Sequence, residues 1–158
     1  MANGVSNRVI KHALFAILAG MLSLVAQASS DTTNFTGHYE LVDSRAGRVF
    51  TLDLNQTGSR VHITFFAAIQ GVPGAKPAGE GEGRVTGDGN LEFTFKDDFG
   101  NEGSATLTPA DHKYQLQMRI EKFVDPGPLH FYGTLAMKKT SDKWQRPDKG
   151  EGIAADPK

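Results

Sequence analysis

The chain of 158 residues contains no cysteine, one tryptophan and three tyrosines. Without cysteine it has no disulfide framework, no Cys-ligated zinc, no thiol nucleophile and no lipid attached through sulfur. Basic residues number 17 against 18 acidic ones, and no basic run disturbs the balance, which argues against a nucleic-acid footprint. No apolar run reaches the ~20 residues that a membrane-spanning helix needs. The length allows one domain of ordinary size. Glycine, by contrast, is plentiful: 18 residues lie scattered between short apolar runs, the habit of an all-β chain rich in turns.

Residues 1–28 have the three parts of a secretory signal peptide. Arg8 and Lys11 form a positive start, Ala13–Ala26 an uncharged apolar stretch, and Ala26-Gln27-Ala28 places small residues where a signal peptidase reads them. Cleavage after Ala28 leaves a mildly acidic chain bound for the periplasm or the exterior. An exported protein without disulfides fits a Gram-negative setting better than a eukaryotic one.

From residue 36 the hydrophobic period is two. The alternation predicts strands over Thr36–Val42, Val49–Gln56, Val61–Ile69, Glu80–Thr86, Leu91–Lys96, Glu102–Thr108, Lys113–Lys122 and Phe131–Lys139. Turn-forming clusters at 57–59, 87–90 and 109–112 separate several of them. Residues 141–158 are polar, carry charges of both signs and read as a disordered tail. The division is therefore signal peptide 1–28, β domain 29–140 and tail 141–158. Eight one-sided strands predict an all-β fold, a single antiparallel up-and-down β-barrel, because closure removes both exposed sheet edges. A two-sheet β-sandwich is the competing architecture.

Two segments carry a family resemblance. Gly37-His38-Tyr39 resembles the Gly-x-Trp entry of the lipocalins, with Tyr in place of Trp, and Leu52–Val61 is similar to the second hairpin of small bacterial calycin-like barrels. That group includes the lipocalins and streptavidin. The resemblance implies an eight-stranded barrel that binds a small ligand or a protein at one open end. Streptavidin's row of ligand-contacting tryptophans is missing, so biotin is not implied.

Motif-like strings fail on context. Asp98-Phe99-Gly100 lacks the rest of a kinase, and Gly79-Glu80-Gly81-Glu82-Gly83 lacks the lysine and helix of a phosphate loop. The oxygen-rich stretch 97–102 does not follow EF-hand spacing. His38, His62, His112 and His130 show no metal-site spacing and read as surface residues. Tyr39 and Tyr114 face inward with no inward carboxylate to partner them, so no catalytic set emerges. No metal or cofactor is expected.

Topology is more informative. In a meander, alternate connections gather at opposite ends. The tight turns 57–59, 87–90 and 109–112 share one end, where the chain also enters the first strand. The longer connections 43–48, 70–79, 97–101 and 123–130 share the other. Long loops on a rigid scaffold are where binding is built. The binding candidates are thus Arg45, Arg48, Lys76, Asp97, Asp98, Phe99, Asn101, Phe123, Asp125 and Leu129, with Phe99, Phe123 and Arg48 as the main anchors. Tyr39, Phe50, Phe65, Phe93, Phe95, Tyr114, Met118 and Phe131 are bulky and inward, which favours a filled barrel and surface recognition over an internal ligand.

The expectation is an exported, non-enzymatic binding module whose partner is a protein, as for inhibitors and immunity proteins of this shape, or a small apolar ligand. The alternatives are a barrel-based isomerase or cyclase and a small outer-membrane barrel. Strands mostly shorter than the ~9–11 residues of membrane strands, with few aromatic residues for a girdle, argue against the membrane.

Overall fold

The computed structural model describes residues 33–42, 47–74 and 76–145. The expected signal peptide, Arg45 and the tail beyond Gln145 lie outside them. Eight antiparallel strands run in chain order: β1 (Gly37–Leu41), β2 (Arg48–Thr57), β3 (Arg60–Ile69), β4 (Ala78–Val85), β5 (Leu91–Asp97), β6 (Glu102–Ala110), β7 (Lys113–Lys122) and β8 (Thr134–Ser141). Each pairs with its neighbour in sequence, and β8 pairs with β1. The up-and-down barrel is closed, and the sandwich alternative falls away.

Alternation decides which way each strand faces. Leu52 and Leu54 of β2, Ile63 and Phe65 of β3, Phe93 and Phe95 of β5 and Leu116 and Met118 of β7 point into one buried core. Outward residues form polar rows across the wall. One row runs from Thr64 through Glu80 and Lys96 to Glu102 and Lys122.

Strand β4 turns glycines inward. A Cβ on Gly81 would stand 2.0 Å from the Thr94 carbonyl oxygen, and one on Gly79 would meet the Phe65 ring at 2.5 Å. Glycine here lets neighbouring backbone and aromatic rings come close while the sheet curls shut. The same strand sends Glu80, Glu82 and Arg84 to the outer face, where all three are exposed.

The barrel is filled along its length. At the tight-turn end Phe35 is fully buried, its carbonyl accepts the Tyr39 hydroxyl (2.8 Å), and its amide donates to Gln56 Oε1 (2.7 Å). The Tyr39 ring meets Tyr114 edge-on, with centroids 4.9 Å apart. The chain therefore enters at the tight-turn end, as the connection count predicts. The β6–β7 turn achieves its reversal without glycine, through positive φ at Asp111 (26°) and His112 (65°).

Strand β8 departs from the expected span of Phe131–Lys139. It begins at Thr134 and runs to Ser141. Phe131 lies instead in a 3-10 turn, Leu129–Phe131, where the amide of Phe131 donates to the Pro128 carbonyl (3.0 Å). The prolines at 126 and 128 favour that turn over an extended backbone. After β8 the chain folds back along the outer wall. Trp144 stands over His62 with ring centroids 6.5 Å apart, and the Gln145 amide donates to Asp53 Oδ1 (3.3 Å). Asp53 faces outward yet is buried, and it also pairs with His38 Nδ1 at 2.8 Å. His38 is thus half-buried against a carboxylate and not the surface residue expected.

Candidate functional site at the long-loop end

The long connections do share one end. The turn joining β5 to β6 and the loop joining β7 to β8 meet through two buried polar side chains, Asp97 and Asn101. Asp97 ends β5 on its inward side, in phase with Phe93 and Phe95. Its Oδ1 accepts the amides of Phe99 (3.0 Å) and Asn101 (2.8 Å). Its Oδ2 accepts the Asn101 side-chain amide (2.9 Å) and the Tyr132 hydroxyl (2.6 Å). The Asn101 Oδ1 in turn accepts the amides of Val124 (2.8 Å) and Asp125 (3.0 Å). Two short side chains thus tie two connections of backbone together.

The mouth above the core is closed by aromatic rings. Tyr132 packs on Phe95 and Phe65 with centroids 5.6 and 6.2 Å apart, and Phe50 stacks on Phe65 at 5.7 Å. Phe131 is almost wholly buried beside them. Burial first, then the hydrogen bond to the Asp97 carboxylate, pushes the Tyr132 hydroxyl far above the usual tyrosine range. Burial, with Tyr114 beside it, does the same to Tyr39 at the opposite end.

The candidates from the sequence separate into two groups. Asp97 and Asn101 are buried and serve as internal supports. The others lie nearer the surface. Phe123 (55 % exposed) and Leu129 (40 %) stand out, joined by Val124 (57 %) and, on the β3–β4 connection, Val72 (52 %). Lys76 and Asp98 are exposed, and Asp98 also accepts the Ala78 amide (3.1 Å). Phe99 and Asp125 are half-buried. Arg48 is also half-buried and donates to the His130 carbonyl (3.2 Å).

One reading is corrected outright. The barrel does hold an inward carboxylate, Asp97: β5 runs one residue beyond the expected Leu91–Lys96, so alternation turns Asp97 inward and not onto the rim. Both its oxygens are occupied by donors of the chain itself, so it is spent on holding loops. Tyr132 was missed because it sits past a proline-rich loop, where periodicity gives no facing. Among the described residues no cluster of three or more metal-ligating side chains occurs. Two depressions are notable, one of about 390 Å³ beside the 109–114 turn and one of about 630 Å³ along β4–β6, the second lined by both outward residues such as Glu82 and Arg84 and inward ones such as Phe93 and Ala105. Comparison with protein-family models, curated proteins and solved structures finds no match.

Proposed function

We propose that this chain is an exported, non-enzymatic binding module that recognises a protein with its long-loop end. The observation that carries the reading is the concentration of exposed apolar side chains there, Val72, Phe123, Val124 and Leu129, on a barrel filled by its own residues. Apolar groups ringed by charges of both signs are the composition of a recognition patch. A filled interior favours a partner outside over a ligand within. Outward strand positions are mostly polar, with Val49 and Phe66 as exposed apolar exceptions, and no continuous apolar band of a membrane barrel results, which supports an aqueous setting. Catalysis is the weaker reading, because Glu80, Glu82 and Arg84 point outward and Asp97 has no free lone pair.

Affinity capture from periplasmic extract, followed by native mass spectrometry of the eluate, tests this directly. The reading expects a stoichiometric protein complex. A retained small molecule without a protein would replace it with internal ligand binding.

A further inference from the structure

Two outward positions break the polar pattern of the barrel wall. Phe66 on β3 is 40 % exposed and Val49 on β2 is 37 % exposed. Pairing between β2 and β3 arranges the outward residues in rows: Asn55 opposite His62, Asp53 opposite Thr64, Thr51 opposite Phe66 and Val49 opposite Ala68. The first two rows are polar, and the last two are apolar apart from Thr51. The chain after β8 crosses these rows in the same order. Trp144 stands over His62 in the first, and the Gln145 amide donates to Asp53 in the second. Asp53 and Thr64 are buried there although they face outward, and the Thr64 hydroxyl has no hydrogen-bond partner among the described residues. A buried hydroxyl calls for a partner, and the continuing chain passes beside it. From Trp144 to Gln145 the contacts move one row toward Phe66.

We propose that residues 146–158 dock on the outer wall of β2 and β3, continuing the strap that Trp144 and Gln145 begin, with Ile153 seated on Phe66 and Val49. The sequence after Gln145 holds one apolar cluster, Ile153-Ala154-Ala155. Rows lie about 7 Å apart along a strand, so the row of Phe66 is the next one reached. An extended chain from Gln145 to Ile153 spans about 26 Å, twice the distance from Asp53 to Val49. Tethering selects this occupant over a separate molecule. A segment fixed at Gln145 meets the patch at an effective concentration in the millimolar range, so a contact too small to hold a free partner suffices. Charge plays no part in the choice, since Glu40 lies opposite Lys138 and Glu80 opposite Lys96. The inference concerns the side wall and is independent of recognition at the long-loop end.

The test uses the full chain with a nitroxide label. The chain has no cysteine, so Asp156→Cys gives a single attachment point beside the apolar cluster. In NMR spectra the label should broaden the amides of Val49, Thr51, Phe66 and Ala68 and spare those of Thr94, Ser104 and Thr106 on β5 and β6. Adding Ile153→Ser should abolish the broadening. That change lies outside the barrel, so folding is not in question. Adding Phe66→Ser should abolish it too, while the shifts of the buried Leu52 and Ile63 show that the core is intact.

Absence of broadening at Phe66, or equal broadening at Phe66 and Thr94, would overturn the docking. So would broadening that survives Ile153→Ser. A second copy is the rival occupant, and mixing a labelled, isotopically unenriched chain with an unlabelled, enriched one separates the two cases. The proposal expects no broadening to pass between copies. Its appearance at Phe66 of the unlabelled chain would make this wall an interface between copies and overturn the proposal.

Discussion

The Tyr132 hydroxyl donates to the Asp97 carboxylate at 2.6 Å, joining the end of β5 to a loop 35 residues further along the chain. The ring packs on Phe95 while its oxygen holds the carboxylate, so one side chain closes the mouth and fixes its support. Asp97 gathers four such donors. Replacing it by Ala strands several of them together, and each buried donor left unpaired costs about 1–3 kcal/mol. Chemical denaturation of Asp97→Ala should show a loss of about 3 kcal/mol or more.

Alkaline pH should act through the tyrosines. Tyr39 and Tyr132 are both held above their ordinary range in the fold. A folded value above the unfolded one stabilises the native state at pH below about 10, and that contribution fades as pH rises beyond it. A pH series of melting temperatures should therefore fall above about pH 10. Tyr132→Phe should begin lower, having lost a hydrogen bond to a charged group worth about 1.5–3 kcal/mol, and should decline less steeply with pH.

The inward glycines of β4 should tolerate no side chain. At Gly81 a Cβ would collide with the Thr94 carbonyl, a backbone atom that cannot step aside. Gly81→Ala should cost about 2–3 kcal/mol by overpacking. Gly87, in the β4–β5 turn, has nothing within 4 Å of the same position. Gly87→Ala should stay within about 0.5 kcal/mol of the unaltered chain. Thermal melts of the two variants provide the comparison.

Trp144 ties the chain after β8 to the outer wall. A fully buried Trp costs about 3–5 kcal/mol on truncation to Ala, and a half-buried one should cost about 1–2 kcal/mol. Calorimetry of Trp144→Ala should show that loss. Quenching of its fluorescence by iodide should be modest in the native chain and rise on denaturation.

How far these features could be read in the sequence depends on the range of the contact involved. Period-two runs such as Lys113–Lys122 record a strand and its inward face within ten residues, and the observed β7 has those same ends. Closure followed from counting such strands. The latch from Asp97 to Tyr132 was out of reach, because alternation says nothing of which loops meet at a barrel mouth. Phe131 misled for a related reason. It continues the spacing of Gly133, Leu135 and Met137, yet the preceding prolines turn the chain before the strand begins. The polar run after residue 140 concealed Trp144, whose partners lie on strands far back in sequence.

Recognition at the long-loop end is the central claim, and calorimetric titration of the captured partner with alanine variants tests it most directly. Phe123→Ala should weaken binding by about 2 kcal/mol or more, as interface anchors do. Its melting temperature should match that of the unaltered chain, since the ring is largely exposed. Ser59→Ala and Asn90→Ala, at the tight-turn end, should bind as the unaltered chain does. Weakened binding in those two variants with none in Phe123→Ala would place recognition at the opposite end of the barrel and contradict the account.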